Sequence, residues 1–202
     1  MKKILSLIAV LSLATLTACG QANSAVTLGD ITITQTEFQK TVDTLLAERE
    51  GVDISQMQLQ SGGDLNRSQL RFMIITTIFD EIAKELKLEV TKTEITTTSQ
   101  ELISQSGGEE ALATNLVSAQ IASTNFDRYV RAIIISDKIS AALQASGISE
   151  EEVGTRLSEL VTAKGKEIGI TVNPRYGTWD HESGDIIATD SANGAVTSPV
   201  TE

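Results

Sequence analysis

The sequence predicts a mainly α domain: six helices, a small β-hairpin ahead of them and a short extended segment after the last. Three observations predict it. A hydroxyl residue followed three places later by an acid recurs at Thr34/Glu37, Thr91/Glu94 and Ser149/Glu152, with a shorter-armed variant at Thr124/Asp127. Such a pair caps two of the N–H groups that a helix leaves unpaired at its start. Behind each pair, apolar residues repeat at helical spacing. Ahead of the first pair, Val26, Leu28, Ile31 and Ile33 flank Gly29-Asp30, the pattern of two very short strands around a turn.

The first helix is predicted from Gln35 to about Glu50, with Phe38, Val42, Leu45 and Leu46 on one face. A loop rich in Gly, Ser and Gln follows over residues 51–66. The second helix, about Ser68 to Lys87, carries Phe72, Ile74, Ile75, Ile78, Phe79, Ile82 and Leu86. That is too many for one narrow stripe, so this helix is expected to be central and contacted on several sides. The third begins at Lys92 and ends at Gly107-Gly108; the fourth is short, about Glu109 to Val117. The fifth, Asn125 to about Leu143, holds a β-branched run that packing must override. The sixth, Glu150 to about Ile168, places Val153, Leu157, Leu160, Val161, Lys164 and Ile168 at helical spacing, with Gly169 as a stop.

The stretch "VNPRYGTWD", residues 172–180, then concentrates the single Trp and one of two Tyr in a chain that is only 3% aromatic. Pro174 forbids helix continuation and favours an extended Asn173, and Gly177 permits a turn. Val172 is expected to run as a strand beside the hairpin. Tyr176 and Trp179 are expected to cover an apolar edge there, so Pro174, Tyr176 and Trp179 are read as structural. The alternative is an aromatic stacking platform for a ligand. The tail, residues 188–202, has little to bury and is expected to be disordered.

Composition narrows the function. A length of 202 residues suits one domain with tails. The net charge of −11 repels phosphate backbones, which argues against nucleic-acid binding. With one His and one Cys, the chain has no Cys/His zinc cage and no internal disulfide, and no metal or cofactor is expected. His181 is read as a solvated loop residue. Glu150, Glu151 and Glu152 are read as first-turn acids that complement the helix dipole, and no residue is read as catalytic. Arg128 and Arg131 are expected to pair with acids of a neighbouring helix. Met57 and Leu59, apolar in a polar loop, are the candidate residues of a binding surface for varied partners, with core satellites as the alternative.

The N-terminus accounts for the cysteine. Lys2 and Lys3 precede an apolar run from Ile4 to Ala14, shorter than the ~20 residues of a membrane span and suited to a signal peptide. Leu16-Thr17-Ala18-Cys19 resembles the lipobox of bacterial lipoproteins. The resemblance implies a signal peptide over 1–18, acylation of Cys19, a lipidated tether over 19–24 and a domain over 25–187 outside the cytoplasm, anchored to the membrane by lipid.

The order of elements resembles the N-terminal chaperone domain of the SurA/PrsA family, related in shape to the peptide-binding arms of trigger factor. The stretches that carry it are "AVTLGDITITQTEF", "VTKTEI" and "GGEEALATNLVSAQIASTNFDRYVRAIIISDKI". Many members insert a parvulin prolyl isomerase domain before the last helix. Here only a short connection joins Leu143 to Glu150, where such a domain would need on the order of a hundred residues. The resemblance therefore implies an ATP-independent, non-enzymatic chaperone for unfolded or newly secreted polypeptides. The alternatives are a lipoprotein that binds one specific protein partner in envelope assembly, and a residual prolyl isomerase.

Overall fold

The computed structural model describes residues 23–189. Strands β1 (Ser24–Leu28) and β2 (Ile31–Thr34) form the expected hairpin, with Leu28 opposite Ile31 and Val26 opposite Ile33. The chain returns after its last helix as β3 (Ile170–Val172), which pairs antiparallel with the other side of β1. The sheet order is β2-β1-β3, so residues far apart in sequence close one sheet. Asn173 fastens the join: its N–H donates to the Ala25 carbonyl at 2.9 Å, and its side-chain amide donates to the Ser24 carbonyl at 3.0 Å.

Six helices follow the hairpin: α1 (Gln35–Arg49), α2 (Gly62–Glu85), α3 (Lys92–Ser106), α4 (Glu109–Ser118), α5 (Phe126–Ala145) and α6 (Glu150–Ile168). The capping signals do not all act as written. Thr91 and Glu94 form the full reciprocal box. Thr34 accepts from the Glu37 N–H at 3.1 Å. The Ser149 hydroxyl donates to the Glu152 carboxylate at 2.9 Å and caps no backbone group. Thr124 lies inside a 3-10 turn, Ser123–Asn125, so the start of α5 falls at Phe126 and that box is not made.

Two other differences have clear causes. α2 starts at Gly62, ahead of the predicted Ser68, because Leu65 is buried to 1% exposure and Asp64 pairs with Arg67 one turn on. Leu46 is 44% exposed: the buried stripe of α1 runs through Phe38, Thr41, Val42, Leu45 and Arg49, and Leu46 falls just off it. α2 is central, with Leu65, Leu70, Met73, Ile74, Ile78, Ile82 and Ala83 buried. α6 lies close to it through Gly165, where an added Cβ would meet the Ile78 and Ile170 methyl ends at 3.3 Å each. α3 buries no residue and packs with α4 and α5, joined to α4 through Gly107 in the left-handed conformation at φ 94°.

Residues 173–189 form a second small element. Pro174 does not end a helix, since α6 has already stopped at Ile168; it sits inside a turn closed by the Tyr176 N–H on the Asn173 carbonyl at 2.9 Å. Strands β4 (Thr178–Asp180) and β5 (Asp185–Ile187) then make a hairpin, with Trp179 opposite Ile186. The Asp180 carboxylate accepts from the Glu182 N–H and the Ser183 hydroxyl, which holds it below the usual carboxylate range and fixes the turn. Arg71 of α2 reaches this hairpin by donating to the Gly184 carbonyl at 2.7 Å.

Candidate functional site

The most informative local sequence is the link between α4 and α5. α4 ends at Ser118, and two residues on stands Gln120, a non-glycine residue at φ 58°, with the Gln120 and Ile121 N–H groups turned back onto Val117 and Leu116. That conformation costs about 1–2 kcal/mol for a residue with a side chain. The side chain explains why glycine does not stand there. Its Oε1 accepts from the Arg49 guanidinium at 3.1 Å and from the Gln60 N–H at 2.9 Å, while its carbonyl accepts from the buried Gln69 amide at 2.7 Å. Arg49 also donates to the Gln60 carbonyl at 2.9 Å. The end of α1, the 50–61 loop, α2 and the α4–α5 link are thus tied at one point. Arg49 is only 9% exposed, and burial lowers its pKa from the ordinary value.

Segment 116–126 is also a common wall of two apolar clefts. The first, about 470 Å³, is lined by Val52, Leu112, Ala113, Leu116, Val117 and Phe126, with Glu48 and Glu109 among them. The second, about 370 Å³, is lined by Phe72, Ile75 and Phe79 of α2 with Ile121 and Tyr129, and by Gln69 and Gln120 of the network. Both volumes fall in the range of ligand pockets, roughly 300–1,000 Å³. The surplus apolar residues of α2 thus divide between the core and an open cleft, because Phe72, Ile75 and Phe79 are only half-buried.

Ion pairs tie the helices to one another away from the linings of these two clefts. Arg128 of α5 reaches Glu37 at 3.4 Å and the Thr77 hydroxyl at 3.3 Å, and Arg131 reaches Asp80 at 2.6 Å. Lys138 joins Glu94 at 2.6 Å; with the Thr91 hydroxyl and N–H, it brings the Glu94 carboxyl down to about 2. Lys164 of α6 bridges Glu167 at 2.8 Å and Glu85 of α2, and these contacts raise its pKa. Such partly exposed pairs contribute little each, and they position helices more than they stabilise them.

The residues singled out from sequence are distributed as follows. Cys19 and residues 1–18 lie outside the described residues, as does the tail from 190. Met57 and Leu59 are half-buried and line neither cleft; Val52, from the same loop, lines the first. Pro174 is exposed, and Thr189 donates to its carbonyl at 3.2 Å. Tyr176 meets Phe38 edge-on at 4.9 Å between ring centroids. Trp179 is 8% exposed within the apolar cluster that includes Val26, Val172 and Ile186. His181 is half-buried and lies edge-on to Trp179 at 6.4 Å. Glu150, Glu151 and Glu152 are exposed in the first turn of α6. The Arg49–Gln60–Gln69–Gln120 network was not foreseen; its only trace in the sequence is an Arg on the apolar stripe of α1.

Among the described residues, no group of three or more His, Cys, Asp or Glu side chains comes together to hold a metal ion. Nor is any helix among them long and apolar enough to cross a membrane. Comparison with known families gives a match to the SurA-like N-terminal domain over residues 1–140. Every residue that lines the two clefts falls within that span. No curated protein and no solved structure matches the chain.

Proposed function

We propose, for a chain that belongs to the SurA-like N-terminal domain family, an ATP-independent chaperone that binds unfolded or newly secreted polypeptides outside the cytoplasm and is held to the membrane by acylation of Cys19. The observation that carries the reading is the pair of apolar clefts sharing the 116–126 wall. Open apolar surface of this size takes side chains of an extended chain without demanding one sequence, and its openness permits release. The acidic surface, with a net charge of −11, keeps such a protein soluble beside apolar clients.

The test dilutes several chemically denatured proteins into buffer containing the purified full-length protein and follows light scattering. Suppression at near-stoichiometric amounts across unrelated clients supports the reading; no suppression with any of them refutes it. The anchor is tested separately by metabolic labelling with a clickable fatty acid. Label on the wild type and none on Cys19→Ser is the expected result, and equal labelling of both removes Cys19 as the anchor.

A further inference from the structure

We infer that the cleft lined by Glu48 and Glu109 selects apolar segments flanked by lysine or arginine, an inference that rests on the polypeptide-binding reading above. The lining is apolar in its body: Val52, Leu112, Ala113, Leu116, Val117 and Phe126. Its charged lining residues are both carboxylates, and no Lys or Arg lines it among the described residues. Neither carboxylate has an ion-pair partner among the described residues. Glu48 accepts from the Ser123 N–H at 3.2 Å with both oxygens, but that donor is neutral, so the full negative charge remains. Glu109 opens α4 beside Glu110, and these two charges outweigh the roughly half-unit of positive charge at a helix N-terminus. Arg49, the nearest cation in sequence to Glu48, does not line the cleft, because its guanidinium is committed to Gln60 and Gln120.

The occupant follows from this pairing of surfaces. An apolar side chain fills the cleft and leaves water, and a neighbouring ammonium or guanidinium reaches the rim carboxylates. A segment flanked by acids brings like charges together at the same rim. The second cleft makes an internal contrast, since Arg71 is among its lining residues and no carboxylate is.

The test uses the full-length protein in zwitterionic lipid nanodiscs and three labelled peptides that share the apolar centre Leu-Phe-Leu-Val. One is flanked by lysines, one by glutamines and one by glutamates; empty nanodiscs give the background. Two partly exposed ion pairs predict roughly three- to tenfold tighter binding of the lysine peptide than of the glutamine peptide, with the glutamate peptide weakest. The preference should shrink between about 20 mM and about 300 mM salt. Glu48→Gln with Glu109→Gln should bring the three peptides together, since the amide that replaces the Glu48 carboxylate still offers an oxygen to the Ser123 N–H. Ala113→Trp, at an exposed lining position, should weaken the lysine peptide at least tenfold while leaving the melting temperature in place. Equal binding of all three peptides, abolished by Ala113→Trp, overturns the charge selection while the peptide-binding reading stands. Binding that Ala113→Trp leaves unchanged overturns the assignment to this cleft. Failure of every peptide, in a protein that also fails to suppress aggregation, removes the chaperone reading itself.

Discussion

Replacing Trp179 tests whether the 172–180 stretch is a structural closure or a ligand platform. Trp179 is 8% exposed, sits opposite Ile186 in the β4–β5 hairpin and belongs to the main apolar cluster. Removing a buried Trp side chain to Ala costs about 3–5 kcal/mol, from lost transfer energy and the cavity left behind. Here the lower end applies. The indole Nε1 is buried without a hydrogen-bond partner, so its removal relieves an unpaired donor. A loss of about 3 kcal/mol in a domain of this size lowers the melting temperature by ~6–12 °C. Trp179 is the only Trp, so the variant has no indole fluorescence and the melt must be followed by far-ultraviolet circular dichroism. Trp179→Phe is the control, because it refills most of the volume without the orphan N–H and should stay within about 1.5 kcal/mol of wild type. If Trp179→Ala melts with the wild type and yet loses client capture, the packing argument is wrong and Trp179 touches the client.

Three further predictions follow from single positions. Gly177 stands at φ 129°, and an added Cβ would lie 2.2 Å from the Ile187 carbonyl oxygen, so Gly177→Ala should cost about 3 kcal/mol or more through conformational strain plus strand separation. Gly184→Ala, at φ 63° with nothing within 4 Å, should cost only about 1 kcal/mol; urea titration of both variants checks the difference, and equal effects would refute the contact. At Gln120, stability should fall in the order Gln, Gly, Ala: Gly loses the bonds to Arg49 and Gln60 but relieves the φ of 58°, whereas Ala loses the bonds and keeps the strain. A Gly variant more stable than wild type would show that the network contributes nothing. Glu94 has its pKa lowered from 4.5 to about 2, so its contribution is complete above pH 4.5 and is lost as the pH falls through about 2. Melting temperatures of Glu94→Gln should therefore fall less steeply than those of wild type across that window, and parallel curves would refute the linkage.

What was legible in the sequence was whatever repeats. The stripes of α1, α2, α5 and α6 and the Gly29-Asp30 hairpin follow from side-chain periods that extend over several turns or residue pairs, and α3 announced itself through a working capping box. A short strand at Val172 beside the hairpin was also expected, since an extended apolar segment after the last helix needs a sheet edge; its register, with Val172 opposite Val26, comes from the structure. What escaped was short or non-local. β4 and β5 have three residues each, too few for an alternation to register. The early start of α2 passes through Gly62-Gly63, which reads as a break until the burial of Leu65 is known. Thr124 carried a valid cap signal that the 3-10 turn consumed. The clefts were least legible, because an apolar residue facing a groove and one facing a core have the same spacing: Phe72 and Phe79 cannot be told from Ile74 and Ile78 by period alone.

The Arg49 network bears on why those clefts stay open. On stability alone it is a poor arrangement: a buried guanidinium with no carboxylate among its hydrogen-bond partners, an Nε and a Gln69 Oε1 left without partners, and a non-glycine backbone at positive φ. Well-packed apolar residues in such a place are often more stable. Its position explains its use. The network joins the 50–61 loop, α2 and the 116–126 segment, and these supply most of the walls of both clefts. Apolar side chains at that junction would be able to slide into the neighbouring grooves, because dispersion contacts have little direction. A guanidinium held by the Gln60 carbonyl and the Gln120 side chain has direction, and it sets the distance between the walls. The stability given up at the junction is the cost of holding Phe72, Ile75, Phe79 and Leu116 beside grooves rather than letting the walls close over them.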